Sequence, residues 1–182
     1  YIRNGKADTS ISRDGALSVA VPGAVAGYLE LQEKYGVLTR KDVLRKAIEF
    51  AENGFAVTTR YQNYANKRLE QLRKDEEISR IFLVKSEEGT YEAPAIGHIV
   101  KQPELAQTLT TISEQGADAF YNGSIAQALV RDMEARQGII SKSDLTDYKI
   151  RYRQPLVGSY RGHAVVSSPP PSSPPRSPPR SS

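Results

Sequence analysis

Apolar positions recur at helical spacing through most of this chain and at strand spacing only near its end. In "SVAVPGAVAGYLELQEKYG" a short alternating run gives way to a predicted helix, with Pro22 in its first turn and Gly36 at its end. Val25, Tyr28, Leu29 and Tyr35 are its expected inner stripe. Gly23 and Gly27 form a GxxxG, and its charged flanks indicate close packing in water or a tight entry turn rather than a membrane contact. A second helix follows in "TRKDVLRKAIEFAENGF", from the capping-box spacing of Thr39 and Asp42 to a left-handed stop at Asn53-Gly54. Val43, Leu44, Ala47, Ile48 and Ala51 repeat on one face of it. A third, more polar helix is expected from about Thr59 to Asp75, burying Tyr64, Ala65, Leu69 and Leu72.

Periodicity leaves "ISRIFLV" (Ile78 to Val84) open between helix and strand, and "SEEGTYEAPAIGHIV" reads as loop. Pro103 then starts a helix with Leu105, Leu109 and Ile112 inward and Gly116 beyond its end. "ADAFYNGSIAQALVRDMEARQG" predicts a short helical turn, a break at Asn122-Gly123 and a helix to about Arg136. Ser141 and Asp144 have capping-box spacing, and "KIRYRQPLVGSYRGHAVVSS" alternates as strands around a turn near Tyr160-Arg161-Gly162. The pattern is helices first and a small sheet last, a helix-rich α+β class.

Composition changes this picture at one place. The last sixteen residues, Ser167 to Ser182, are only Ser, Pro and Arg, and hold most of the eleven prolines. They depress a hydrophobic content of 38%, and the rest is long enough to bury a core. Arg176 and Arg180 supply two of the net +4 charges, so no basic footprint for nucleic acid emerges. The helix "RYQNYANKRLEQLRK" does interleave aromatics with bases, as single-strand binding needs, but Glu70, Asp75, Glu76 and Glu77 cancel much of that field. A solvated helix face is the preferred reading. The absence of cysteine removes disulfides, thiolate metal sites and a Cys nucleophile together. No apolar run is long enough to span a bilayer, and "YIRNGKADTSISRDGA" offers neither a signal peptide nor an initiating Met, pointing to an internal start or a processed end.

Catalytic patterns are missing as well. No GxSxG elbow or P-loop occurs, and His98 and His163 lack metal-ligand spacing, which makes them a loop and a strand histidine. In the tail, Pro171–Arg176 and Pro175–Arg180 both match PxxPxR, a polyproline ligand for SH3-type grooves, though a three-letter composition generates such matches freely.

The order of motifs nevertheless resembles the γ-glutamyltransferases, or glutathione hydrolases. The phrases "VPG.VAG", "G.DAFY.G.IA" and "DL..Y......PL.G.YRG" carry the resemblance, which runs from Leu17 to Ser173. It implies a fragment of an N-terminal-nucleophile hydrolase, an αββα sandwich, taken from the large chain. In that family a precursor cleaves itself, and the new N-terminal Thr of the small chain attacks the γ-glutamyl amide with its own amine as base. The acyl group of glutathione, or of another γ-glutamyl compound, then passes to water or an amino acid. The resemblance places that Thr in the small chain, and the Arg clamping the donor carboxylate upstream of Tyr1. No catalytic, cofactor-binding or metal-binding residue is therefore assigned here, and no cofactor. Thr39, Thr58, Thr59 and the Thr108–Thr111 cluster lie at helix starts or on helix faces. The implied partners are the small chain and a γ-glutamyl compound, with no nucleic acid and no membrane span. The family setting suggests periplasm, cell surface or exterior.

The expected organisation is a polar leader over 1–16, a partial large-chain domain over 17–166 and a disordered tail over 167–182, aberrant after Ser173. The family continues "PPPSS" with Gly-Gly, where this chain has "PPRSPPRSS". A frameshift, a misplaced gene end or a truncated copy is the expected cause. An isolated piece of this kind should expose apolar helix faces and strand edges, be poorly stable and lack activity. The alternative reading is a helical interaction module with an SH3-docking tail.

Overall fold

Two helices with matched ends organise the middle of the chain. The structure, a computed structural model, describes residues 2–3 and 5–170. Helix α1 spans Ala24–Tyr35 and α2 spans Arg40–Asn53. The Thr39 hydroxyl accepts the Asp42 amide at 3.2 Å and donates to the Asp42 carboxylate at 2.5 Å, starting α2 as its sequence predicts. Helix α2 packs antiparallel to α6 (Pro103–Gln115). At one end the Arg40 guanidinium donates to the carbonyls of Ser113 and Glu114 at 2.8 and 3.0 Å, capping the negative end of α6. At the other, the Gln102 amide donates to Ala51 O at 2.8 Å.

Between them lie α3 (Thr59–Lys67), α4 (Leu69–Leu72) and α5 (Glu76–Phe82). The single helix expected over 59–75 is broken at Arg68, whose backbone leaves helical geometry at φ −111° and ψ 9°. No Gly or Pro marks the break. Arg68 reaches instead to Asp14, at 2.9 Å, a contact that sequence spacing does not reveal. The end of α4 is satisfied by Ser79, a buried residue of α5 whose hydroxyl donates to Leu72 O at 3.0 Å. "ISRIFLV" proves to be both options at once, a helix to Phe82 and then a strand.

The short strands β3 (Phe55–Ala56) and β6 (Ile99–Val100) pair antiparallel, as do β4 (Val84–Lys85) with β5 (Tyr91–Glu92) and β1 (Ile2–Arg3) with β2 (Lys6–Ala7). Two-residue ladders carry no period-2 signal, so only the sheet at the end of the chain was legible. Helices α7 (Ala117–Tyr121), α8 (Ser124–Ala135) and α9 (Lys142–Thr146) complete this part. The capping box at Ser141 and Asp144 is formed with both reciprocal bonds. Buried Tyr121, Ala126, Met133, Ile140 and Leu145 make one core cluster, with Leu145 wholly enclosed.

The inner stripes need correcting in six places. Tyr28 and Tyr35 are about three-quarters exposed, because they lie with Leu31 on a side of α1 opposite to half-buried Val25, Ala26 and Leu29. Val43, Ala47, Tyr64 and Leu105 are also exposed. The buried contacts fall to small side chains, Ala51, Ala65, Ala106, Ala119 and Ala126, which let helices approach closely.

Residue contacts divide the chain into Tyr1–Tyr148 and Lys149–Ser182. The second unit is a hairpin of β7 (Leu156–Tyr160) and β8 (His163–Ser167), in register from Leu156 opposite Ser167 to Tyr160 opposite His163. Arg161 and Gly162 both have positive φ, 49° and 80°, the two-residue type I′ turn that suits strand twist. Among the described residues no helix is long and apolar enough to cross a membrane.

Candidate functional site

The three motifs singled out in the sequence meet in space. Tyr121, from the "DAFY" phrase, donates its hydroxyl to Pro22 O at 2.5 Å and accepts the Ala26 amide at 3.2 Å. It thereby satisfies backbone groups at the start of α1, which has no side-chain cap of its own. Tyr148, from "DL..Y", stacks on Tyr121 with ring centroids 5.5 Å apart and planes 8° from parallel. A Cβ at Gly23 would overlap the Tyr148 hydroxyl, so the glycine of "VPG" is required by this close approach. Gly27, its GxxxG partner, faces open space. The tight packing expected of the pair thus belongs to Gly23 alone.

Burial is the main cause that pushes the Tyr121 phenol above its ordinary range; the Ala26 amide opposes it. Tyr121 is a neutral donor near neutrality, suited to holding a carbonyl. Nothing in this junction supplies a nucleophile or a base.

Most of the hydroxyls noted from the sequence are also occupied. Thr58 caps α3 by accepting the Tyr61 amide at 3.3 Å, as Thr39 caps α2, and Thr59 opens α3. Thr108, Thr110 and Thr111 donate back to the carbonyls of Glu104, Ala106 and Gln107, at 2.8 to 3.0 Å. His98 offers its carbonyl to the Val57 amide at 2.8 Å beside the β3–β6 ladder, and His163 lies in β8, in the other unit. Among the described residues no group of three His, Asp or Glu side chains is placed to hold a metal. Both PxxPxR matches fall at 171–180, outside the described residues.

A groove of about 560 Å³ that the sequence did not indicate opens along α3. Its walls are Tyr61, Tyr64, Ala65, Leu72 and Phe82, with Arg60 and Arg68 at the rim. Tyr61 spends its hydroxyl on Phe82 O at 3.0 Å, and burial raises its phenol pKa.

Comparison with known proteins agrees with the motif geometry. The family model described as Gamma-glutamyltranspeptidase matches residues 1–175. The glutathione hydrolase proenzyme of Pseudomonas sp. (strain A14) is 39% identical over 172 residues, which are 94% of this chain and 29% of that protein. The acylase ACY 1 proenzyme of Pseudomonas sp. (strain SE83) is 38% identical over 159 residues, 87% of this chain and 28% of that one. The crystal structure of Helicobacter pylori γ-glutamyltranspeptidase superimposes with a TM-score of 0.87 at 35% identity, covering 94% of this chain and 48% of that chain. The chain thus spans less than a third of the length of these curated relatives. Its helix-rich α+β architecture is that of an N-terminal-nucleophile hydrolase, as the resemblance implied. With its three motif phrases joined at one junction and a match over nearly the whole described chain, the protein belongs to the γ-glutamyltranspeptidase family.

Proposed function

We propose that these residues are part of the large chain of a γ-glutamyltransferase or glutathione hydrolase and are inactive alone. In the assembled enzyme the γ-glutamyl group of glutathione passes to water or an amino acid through the N-terminal Thr of a small chain cut from the same precursor. The present residues act as scaffold, holding α1 against α7 and α9 through the Tyr121–Tyr148 junction. One observation carries this reading: the motif side chains bond backbone and one another, and the hydroxyls of Thr39, Thr58, Thr108, Thr110 and Thr111 serve as caps or back-bonds. Export to the periplasm or cell surface belongs to the same proposal.

The test is hydrolysis of γ-glutamyl-p-nitroanilide by the purified 182-residue chain. The expected result is no release of p-nitroaniline above the blank, and turnover would overturn the assignment. The similarity to an acylase of almost equal identity supports a second reading, in which the precursor cleaves an amide without a γ-glutamyl head. Parallel assays of the complete precursor with γ-glutamyl- and glutaryl-p-nitroanilide separate the two, since glutaryl lacks only the α-amino group. Preference for glutaryl would favour the acylase.

A further inference from the structure

We propose that the groove along α3 binds small aromatic carboxylates, with the ring between the tyrosines and the carboxylate at Arg60. Its walls are Tyr61, Tyr64, Ala65, Leu72 and Phe82, and its volume of about 560 Å³ is in the range of small-molecule sites. The floor has little to offer a polar ligand. The Tyr61 hydroxyl is bonded to Phe82 O, and the Thr58 hydroxyl to the Tyr61 amide. The walls are mainly aromatic and aliphatic surface, and a flat ring suits walls of tyrosine and phenylalanine.

The rim selects the charge. Three neighbouring arginines are already neutralised: Arg68 by Asp14 at 2.9 Å, Arg73 by Glu70 at 3.1 Å and Arg80 by Glu77 at 2.6 Å. Arg60 and Lys67 have no carboxylate partner among the described residues. They lie 5.8 and 5.5 Å from the centroid of the exposed Tyr64 ring. Arg60 also lines the groove, so an unspent guanidinium stands beside an aromatic slot. Its planar fork can take both oxygens of a carboxylate. Two unpaired cations match one compact anion better than a nucleic-acid strand, whose phosphates need a track of them.

The probe is 2-naphthoate, titrated into the full 182-residue chain with detection by amide and side-chain chemical shifts. Saturable binding is expected with a Kd on the order of 1 mM, as for a fragment of this size, and with shifts confined to residues 58–72 and 82. Arg60→Gln should weaken it about fivefold, the size of an exposed charge pair, while leaving the circular dichroism unchanged, because Arg60 is exposed and makes no ion pair. Tyr64→Ala should weaken it by a similar factor, and 2-naphthalenemethanol, which lacks the charge, should bind at least fivefold more weakly than the acid. Equal binding of the alcohol, no effect of Arg60→Gln, or shifts centred elsewhere would overturn the proposal. So would displacement of naphthoate by a ten-residue oligothymidylate at 0.15 M salt, which would assign the groove to single strands.

Discussion

The phrase "DL..Y......PL.G.YRG" runs through two regions that solve the burial problem in opposite ways. Its first half is enclosed: Leu145 is fully buried, and Tyr148 stacks on Tyr121 over Gly23. Its second half supplies β7 and the turn of the β7–β8 hairpin, in which Leu156, Val157, Tyr160, Val165 and Val166 are all exposed. The hairpin is regular all the same, with a five-residue ladder and a type I′ turn. Backbone geometry there is set by local turn chemistry, whereas the junction is set by contacts between positions about a hundred residues apart. Equal prominence in a motif does not imply equal burial, and substitutions should cost very different amounts in the two regions.

The contrast is sharpest at Leu145. Replacing it with Ala should destabilise the chain by about 2–5 kcal/mol in urea unfolding, from lost transfer energy and the cavity left behind. Gly23→Ala should cost about 1–3 kcal/mol, since its methyl group must displace the Tyr148 ring. Tyr121→Phe keeps the stack but removes the bond to Pro22 O, for about 1 kcal/mol. Val157→Thr in the hairpin should change stability by less than about 0.5 kcal/mol. A hairpin substitution as costly as Leu145→Ala would break the comparison and show that the exposed face is covered.

A pH experiment probes the ion pair that ties α5 to α8. Arg136, by its side-chain hydrogen bond above all, and the Ile78 amide hold the Asp75 carboxyl below its ordinary value. A depressed carboxyl stabilises the fold fully above the usual aspartate range, and that stability is lost as pH falls through the depressed value. The pair is half exposed on the arginine side, so solvent screening limits its worth to less than about 1 kcal/mol. Asp75→Asn retains a capping side chain, and should flatten the decline in stability below about pH 4 without altering the slope near pH 7. An unchanged acid limb would show that the pair contributes nothing.

Local rules read well wherever local physics decides the outcome. Thr39, Pro103 and the Ser141–Asp144 box mark helix starts, and Gly54 and Gly116 mark helix ends, all written within four residues of the event. The hairpin turn belongs to the same class. What escaped the sequence depends on distant partners: the break at Arg68, made without a helix breaker, and the two-residue ladders such as β3–β6, which join residues over forty positions apart. Tyr28, Tyr35 and Tyr64 were assigned inward because periodicity identifies an apolar side chain but not which of two sides of a helix finds a neighbour. The candidate site shows the same limit. The motifs identified the family, but their meeting at Tyr121 and Tyr148 requires three segments to fold together. The groove on α3 was hidden because its aromatic and basic residues looked like an ordinary wet face, and only the ion pairs of Arg68, Arg73 and Arg80 show which cations are left over.

The bond from Tyr121 to Pro22 also sets an order in time. Its partners are 99 positions apart, so during synthesis the Pro22 segment emerges long before the residue that will hold it. At about 5–20 residues per second, that interval is roughly 5–20 s. The α2 helix completes its cap within a turn and needs no such wait. The start of α1 has no side-chain cap in the meantime, and Tyr28, Leu31 and Tyr35 are exposed on its outer side even after folding. On the nascent chain the backbone at the start of α1 therefore stays without its tyrosine partner until Tyr121 has emerged from the ribosome.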